Sequence, residues 1–331
     1  MDVYDVTIIG GGPTGLFATF YSGLRGLKTK VIDVLSELGG QLTALYPEKY
    51  VYDVAGHPKI LAKDLAKNLA VQAGLFKPTI VLGEKVIGFQ RVDGNLLKLV
   101  TDNGQEHYTK TVLLALGAGA CVPKKLDIDY NHDLDGQSVY YAVKNKEKFR
   151  GKNILIVGGG DSAVDWANEF SQLADKVTLI HRRDQFRAVQ TSVEEMFRNK
   201  VEVRTFHEMK QVICNGNDSL EKAVLFDNRT GKEETIPVDA ILINIGFVIN
   251  LDFLKSWGMI MEGNAIIVNE KMETNIAGVY AAGDICAHTA KLKLIATGAA
   301  EAATGVNFAC TYINPTAKVF PGHSSNLNLS I

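Results

Sequence analysis

The chain has 331 residues, 46% hydrophobic and 22% charged, with 35 basic against 37 acidic side chains and a formal charge of −2. That is the make-up of a folded protein of about two domains. The lack of a basic excess argues against nucleic acid as the main partner, and no apolar run approaches the roughly 18–20 residues of a membrane span.

The four cysteines, Cys121, Cys214, Cys286 and Cys310, are far apart in sequence and form no CxxC. Nothing in their spacing points to a disulfide framework or a metal site, and they fit a reducing compartment. The chain opens almost at once on an apolar run, with no basic segment and cleavage signal before it, so a cytoplasmic location is expected.

In chain order, Val3 to Ile9 reads as a strand buried on both faces. The glycine loop Gly10-Gly11-Gly12-Pro13-Thr14-Gly15 follows, then a helix from about Thr14 to Leu24 and a second strand from Thr29 to Asp33. The stretches 86–100 and 105–116 alternate as antiparallel strands do, around the turns Asp93-Gly94-Asn95 and Asp102-Asn103-Gly104. The βαβ grammar then returns: strand Asn153 to Val157, loop Gly158-Gly159-Gly160-Asp161-Ser162-Ala163, a helix through about Leu173, and strand Lys176 to His181. Further strands are expected at 211–214 and 223–227. The glycine-ended apolar segments 112–117 and 240–246 read as crossovers between domains. A late helix spans about Leu292 to Tyr312, and the tail Phe320 to Asn326 has the composition of a turn.

The two loops differ chemically. In the first, Gly10 permits the tight turn, Gly12 lets the backbone approach a pyrophosphate, and Gly15 lets helix and strand pack closely. The helix N-terminus presents unpaired N–H groups to phosphate, and Asp33 can accept from the hydroxyls of a ribose, as in FAD or NAD. In the second, Gly158, Gly160 and Ala163 occupy the same frame, but His181, Arg182, Arg183 and Arg187 stand where an acid would otherwise follow. Guanidinium forks match phosphate oxygens, so this loop reads as a site for NADP(H). Asp161 and Ser162 open its helix.

These loops, together with Gly39-Gly40-Gln41-Leu42, Phe186-Arg187 and Ala281-Ala282-Gly283-Asp284, resemble the low-molecular-weight thioredoxin reductase superfamily over essentially the whole chain. The resemblance implies an α/β fold of two Rossmann-like, three-layer ββα domains. The NADPH domain, residues 118–247, is inserted into an FAD domain of residues 1–117 and 248–331. It also implies that Gly10, Gly12, Pro13, Thr14, Gly15, Asp33, Gln41, Tyr46, Val86, Cys121 and Asp284 meet FAD.

Thioredoxin reductases carry a redox CxxC before the second glycine loop. Here that stretch reads Tyr140-Tyr141-Ala142-Val143-Lys144, with no dithiol to carry electrons onward. The pattern resembles the thioredoxin-reductase-like ferredoxin–NADP reductases, which lack CxxC and have a C-terminal extension. That resemblance implies Tyr50 and His323 stacked on opposite faces of the flavin, Ser325 near its reactive edge, and a homodimer. It also implies a path from NADPH through FAD to ferredoxin or flavodoxin, hydride in and single electrons out. Both carriers are acidic, and Lys124, Lys125, Lys291 and Lys293 are the candidate contacts. A disulfide reductase of the bacillithiol type, which carries a cysteine where this chain has Thr14, and an FAD/NADPH-binding redox sensor are the alternatives.

Overall fold

The computed structural model describes residues 2–92, 94, 96–119, 122–199, 201–216, 218–248 and 251–326. Cys121, together with Asp93, Asn95 and Asn217 of the expected turns, lies outside the described residues. The chain divides into two compact units. One is made of residues 1–121 and 249–331, and the other of the intervening 122–248.

The first unit is built on Val3–Ile9. On one side it pairs in parallel with Thr29–Asp33, and that strand pairs in parallel with Thr79–Leu82. On the other side lies the long strand Glu106–Leu114. Its first half continues antiparallel into Leu97–Thr101 and then Val86–Arg91, while its second half pairs in parallel with Val279–Ala281. The expected hairpin is therefore present, but its last strand changes partners midway. The alternation of a strand reports its two faces and not its neighbours.

Period two decides what each residue buries. Val6, Ile8, Val31 and Leu113 face a core containing Ala18 of helix Pro13–Leu24 and Val306 of helix Ile295–Ile313. Ile9, Ile32, Val112 and Leu114 face the opposite core, with Leu97, Leu99 and Ile266. Helix Ala62–Gly74 buries Ala62, Leu65, Ala66 and Ala73.

The second unit has an all-parallel sheet in the order Val139–Tyr140, Ala240–Ile243, Asn153–Val157, Lys176–His181, Glu202–Thr205. Ile154 and Ile156 pack on Trp166 and Phe170 of helix Asp161–Phe170. Leu155 and Val157 pack on Met209 and Leu225 of the antiparallel sheet His207–Cys214, Leu220–Asp227, Glu233–Pro237. The unit's two ends are paired: Val122–Pro123 runs antiparallel to Phe247–Val248.

Two helix boundaries differ from expectation. The helix expected to reach Leu173 ends at Phe170, and the N–H of Leu173 then bonds the Phe170 carbonyl three residues back at 2.9 Å. Leu173 still packs on the core, which kept the apolar pattern going after the backbone left the helix. The last helix begins at Ile295 and not Leu292, with Leu294 extended at φ −122° and ψ 150°. Among the described residues no helix is long and apolar enough to cross a membrane.

Candidate active site

Strand Val3–Ile9 delivers the chain into Gly10, whose φ of +108° favours glycine. A Cβ there would stand 2.4 Å from the carbonyl oxygen of Ala115, so the turn lies tight against the neighbouring strand end. Gly15 is similarly constrained: a Cβ would stand 1.8 Å from the carbonyl oxygen of Gly10. Gly12 caps the helix with extended backbone and no side-chain cap, which leaves the first-turn N–H groups for a ligand. Gly40, at φ +58°, approaches Gly12 so closely that its own Cβ would come 2.8 Å from Gly12 Cα.

These elements line one wall of a cavity of about 590 Å³. Gly10, Gly12, Pro13, Thr14, Asp33, Gln41, Tyr46, Tyr50, Val86 and Asp284 all line it. Asp33 Oδ2 accepts from the N–H of Gly11, and Oδ1 accepts from the N–H of Leu35 at 2.8 Å. Burial pushes the carboxyl up, while these two amide bonds hold it down, and the net shift is upward. A carboxylate has lone pairs for further acceptance, so an anchored Asp33 can take the two hydroxyls of a ribose. Tyr50 sits on the short hairpin Tyr50–Val51 with Ile60–Leu61, with 45% of its surface exposed. The Lys59 ammonium lies 3.9 Å from its ring centroid.

Three expected residues among the described ones do not line this cavity. Gly15 is spent on the packing just described. Cys121 lies outside the described residues. His323 and Ser325 are exposed and do not line the cavity of their own chain. Arg25 follows helix Pro13–Leu24 at the end away from the loop, and its guanidinium holds the carbonyls of Lys318 and Val319 at 2.7 and 2.8 Å. The Phe320 and His323 rings meet edge to face at 5.3 Å. Sequence reading named Lys293 as a carrier contact but missed Leu294 and Ile295, which line the cavity beside it, because that segment was taken as helix.

The second unit carries a separate cavity of about 790 Å³. Gly158, Gly160, Asp161, Ser162, His181, Arg182, Arg183 and Arg187 line it. Ala163 does not; its methyl is buried against Gly158. Gly160 has nothing within 4 Å of a built Cβ, so its backbone is open to a close ligand. The Asp161 carboxylate accepts from the Val189 N–H at 2.9 Å, and the Arg187 N–H donates to the Gly159 carbonyl at 2.8 Å. Those two bonds draw the arginine-bearing loop over the glycine loop. Among the described residues no carboxylate forms a salt bridge with Arg182, Arg183 or Arg187, and all three are exposed. Burial holds the His181 imidazole below its usual range, and the three arginines add to that. Asn244 was missed. It follows strand Ala240–Ile243 at the carboxyl end of the sheet, where such folds bind ligands, and its buried Oδ1 has no hydrogen-bond partner among the described residues.

Of the four lysines expected to meet an acidic carrier, Lys293 lines the first cavity and Lys124 the second. Lys125 is paired with Asp135 at 3.2 Å. Lys291 is not a surface lysine at all: its ammonium is nearly buried and paired with Glu301 at 2.7 Å.

Residues 4–304 match the family described as pyridine nucleotide-disulphide oxidoreductase. The chain belongs to that family. Within it, the chain is 48% identical to the ferredoxin–NADP reductase of Geobacillus kaustophilus over 326 residues, 98% of each chain. It is 52% identical to ferredoxin–NADP reductase 1 of Sulfolobus acidocaldarius over 325 residues, again 98% of each. Solved structures share the fold. The thioredoxin reductase of Lactococcus lactis matches with a TM-score of 0.75 at 25% identity, covering 94% of this chain and 99% of that one. That of T. acidophilum matches at 0.76 and 24%, covering 96% and 100%. The two-unit α/β architecture matches that of these thioredoxin reductases.

Proposed function

We propose that the chain is an FAD-dependent ferredoxin–NADP reductase. One observation carries the reading: a single chain holds two glycine-loop cavities of opposite character. One is anchored by the buried carboxylate of Asp33, and the other is rimmed by three guanidinium groups that no carboxylate neutralises among the described residues. The near-full-length likeness to proteins bearing that name supports it.

FAD, when bound, takes up a hydride and passes on single electrons. Gly12 and the first turn of helix Pro13–Leu24 hold its pyrophosphate, Asp33 its adenosine ribose, and Asp284 the ribityl–phosphate region. Gln41, Tyr46, Tyr50 and Val86 line its cavity. Gly158, Gly160, Asp161 and Ser162 bind the pyrophosphate of NADP(H), while Arg182, Arg183 and Arg187 bind the 2′-phosphate. None of these residues has to move a proton for the hydride step.

The acceptor is a small acidic carrier, ferredoxin or flavodoxin, and Lys293 at the first cavity is the basic contact retained from the sequence reading. The enzyme works as a cytoplasmic homodimer. His323 and Ser325 lie outside their own chain's cavity, so the stacking of His323 and the place of Ser325 at the flavin edge fall to the cavity of a second copy. The bacillithiol-type alternative needs a thiol in the first glycine loop, where this chain has Thr14. Cys286 and Cys310 are buried, and Cys214 belongs to the second unit.

The test is steady-state reduction of cytochrome c by NADPH with and without ferredoxin. Strong dependence on ferredoxin is expected. Rapid flavin reduction with no ferredoxin dependence would leave the donor half standing and overturn the acceptor, and slow turnover with every one-electron acceptor would favour the sensor.

A further inference from the structure

Helix Ile295–Ile313 carries one buried acid. Glu301 is 5% exposed, and its neighbours on the buried face are small or apolar. Its Oε2 accepts from the Gly283 N–H at 2.8 Å and from the Lys291 ammonium at 2.7 Å. Its Oε1 takes a second bond from Lys291 at 2.8 Å and meets His288 Nε2 at 2.9 Å. Lys291 also donates to the carbonyl of Gly283 at 2.7 Å. One ion pair therefore grips both the N–H and the C=O of a single residue.

Gly283 has φ +78°, and a Cβ there would stand 2.7 Å from Thr14 Oγ1. Gly298, one turn before Glu301 on the helix, packs on the same Thr14 hydroxyl. The gripped residue thus lies between the last helix and the first glycine loop. Asp284, next in sequence, lines the first cavity, as do Lys293, Leu294 and Ile295, which begin two residues after Lys291. A buried ion pair is a poor source of stability compared with an apolar replacement, so what it positions is the better account of its presence.

We propose that Glu301 and Lys291 are positioning residues for the FAD site. They lock the Gly283–Ile285 turn and the 291–295 strap into one unit, so that Asp284 and the Lys293–Ile295 wall hold a fixed register around the flavin. This rests on the reading of the first cavity as the FAD site. Burial raises the Glu301 carboxyl, but the bonds from Lys291, His288 and Gly283 outweigh it and hold the group below its usual range, so it stays ionised. A metal centre is the competing reading, since Cys286, His288 and Glu301 offer ligand atoms within 4.8 Å of one another. The Lys291 ammonium, at 2.7 Å from Glu301 and 3.6 Å from Cys286 Sγ, already supplies the positive charge that trio would attract.

The experiment measures FAD binding to the full-length apoprotein by flavin fluorescence quenching, with visible circular dichroism of the bound flavin. The proteins are the wild type, Glu301→Gln, Lys291→Met and the double variant. Each single variant is expected to loosen FAD by about 10-fold or more and to change the flavin dichroism, while NADP+ affinity stays unchanged. The double variant should be no worse than the weaker single, as a coupled pair behaves. If a single variant fails to fold, the double variant, which leaves no charge buried alone, carries the test. Folded variants with FAD affinity within about twofold of wild type and the same dichroism would overturn the clamp alone. A wild-type protein that does not hold FAD would overturn the flavin reading of the cavity, and the clamp with it.

Discussion

The ring of His181 lies against the backbone of Gly159, with so little room that a methyl there would stand 2.4 Å from both Nδ1 and Cε1. The ring cannot easily retreat, because Nε2 meets the Gln185 carbonyl at 3.1 Å and its other neighbour is the Phe186 ring at 5.3 Å. Gly159→Ala should therefore displace the imidazole and the arginine loop with it. Overpacking of this kind costs about 1–3 kcal/mol. Titration with NADP+ should show weakening of roughly 5- to 100-fold, with FAD content unchanged.

The same imidazole predicts a pH dependence. Burial, followed by the three arginines, depresses His181, so it is neutral in the free enzyme at neutral pH. A bound 2′-phosphate favours the charged form and raises the pKa in the complex. NADPH affinity should then be flat above the complex pKa, strengthen as pH falls through it, and level off below the free pKa. The KM for NADPH measured across pH in wild type and His181→Gln gives the check: the difference between the two profiles should vanish at high pH.

Arg182 and Arg183 have exposed guanidinium groups that no carboxylate pairs among the described residues. Replacing either with alanine should reduce the preference for NADPH over NADH by roughly 10-fold, the scale of one charge-assisted hydrogen bond. The ratio of the two kcat/KM values reads this directly. Equal losses with both nucleotides would place the arginines away from the 2′-phosphate.

Tyr50 and His323 test the flavin faces separately. Tyr50→Ala should alter the flavin absorption spectrum at any protein concentration, because Tyr50 lines the cavity of its own chain. His323→Ala should alter it only where a second copy is present, so the difference from wild type should disappear on dilution into monomer. An unchanged spectrum in both variants would remove stacking from the account.

The glycine loops were legible because each sits between a strand and a helix that announce themselves by period, and the residue ending the next strand declares its chemistry. The places of Asp33 and His181 in the two cavities could be read in this way. The partner change of Glu106–Leu114 could not, since alternation says which face is buried and not which strand lies beside it. Lys291 read as a surface contact for an acidic carrier because its partner is ten residues away on a helix whose face is otherwise small and apolar. The anchoring of the tail has a long-range cause: Arg25, nearly 300 positions earlier, holds the carbonyls of residues 318 and 319. A turn-like composition carries no address.

Val122 faces Val248, and Pro123 faces Phe247, across two antiparallel strands. Residues directly opposite in such a pair have Cα atoms about 4.5–5.5 Å apart. The 127-residue nucleotide unit between them is thus a cassette with its entry and exit side by side. Cut at that seam, residues 122–248 should fold alone and keep NADP+ affinity, measurable on the isolated piece. What remains could be rejoined by a short link without stretching any strand of its sheet. An insertion with adjacent ends can be acquired, lost or exchanged as one piece, so the electron donor of such an enzyme can change while its flavin chamber does not.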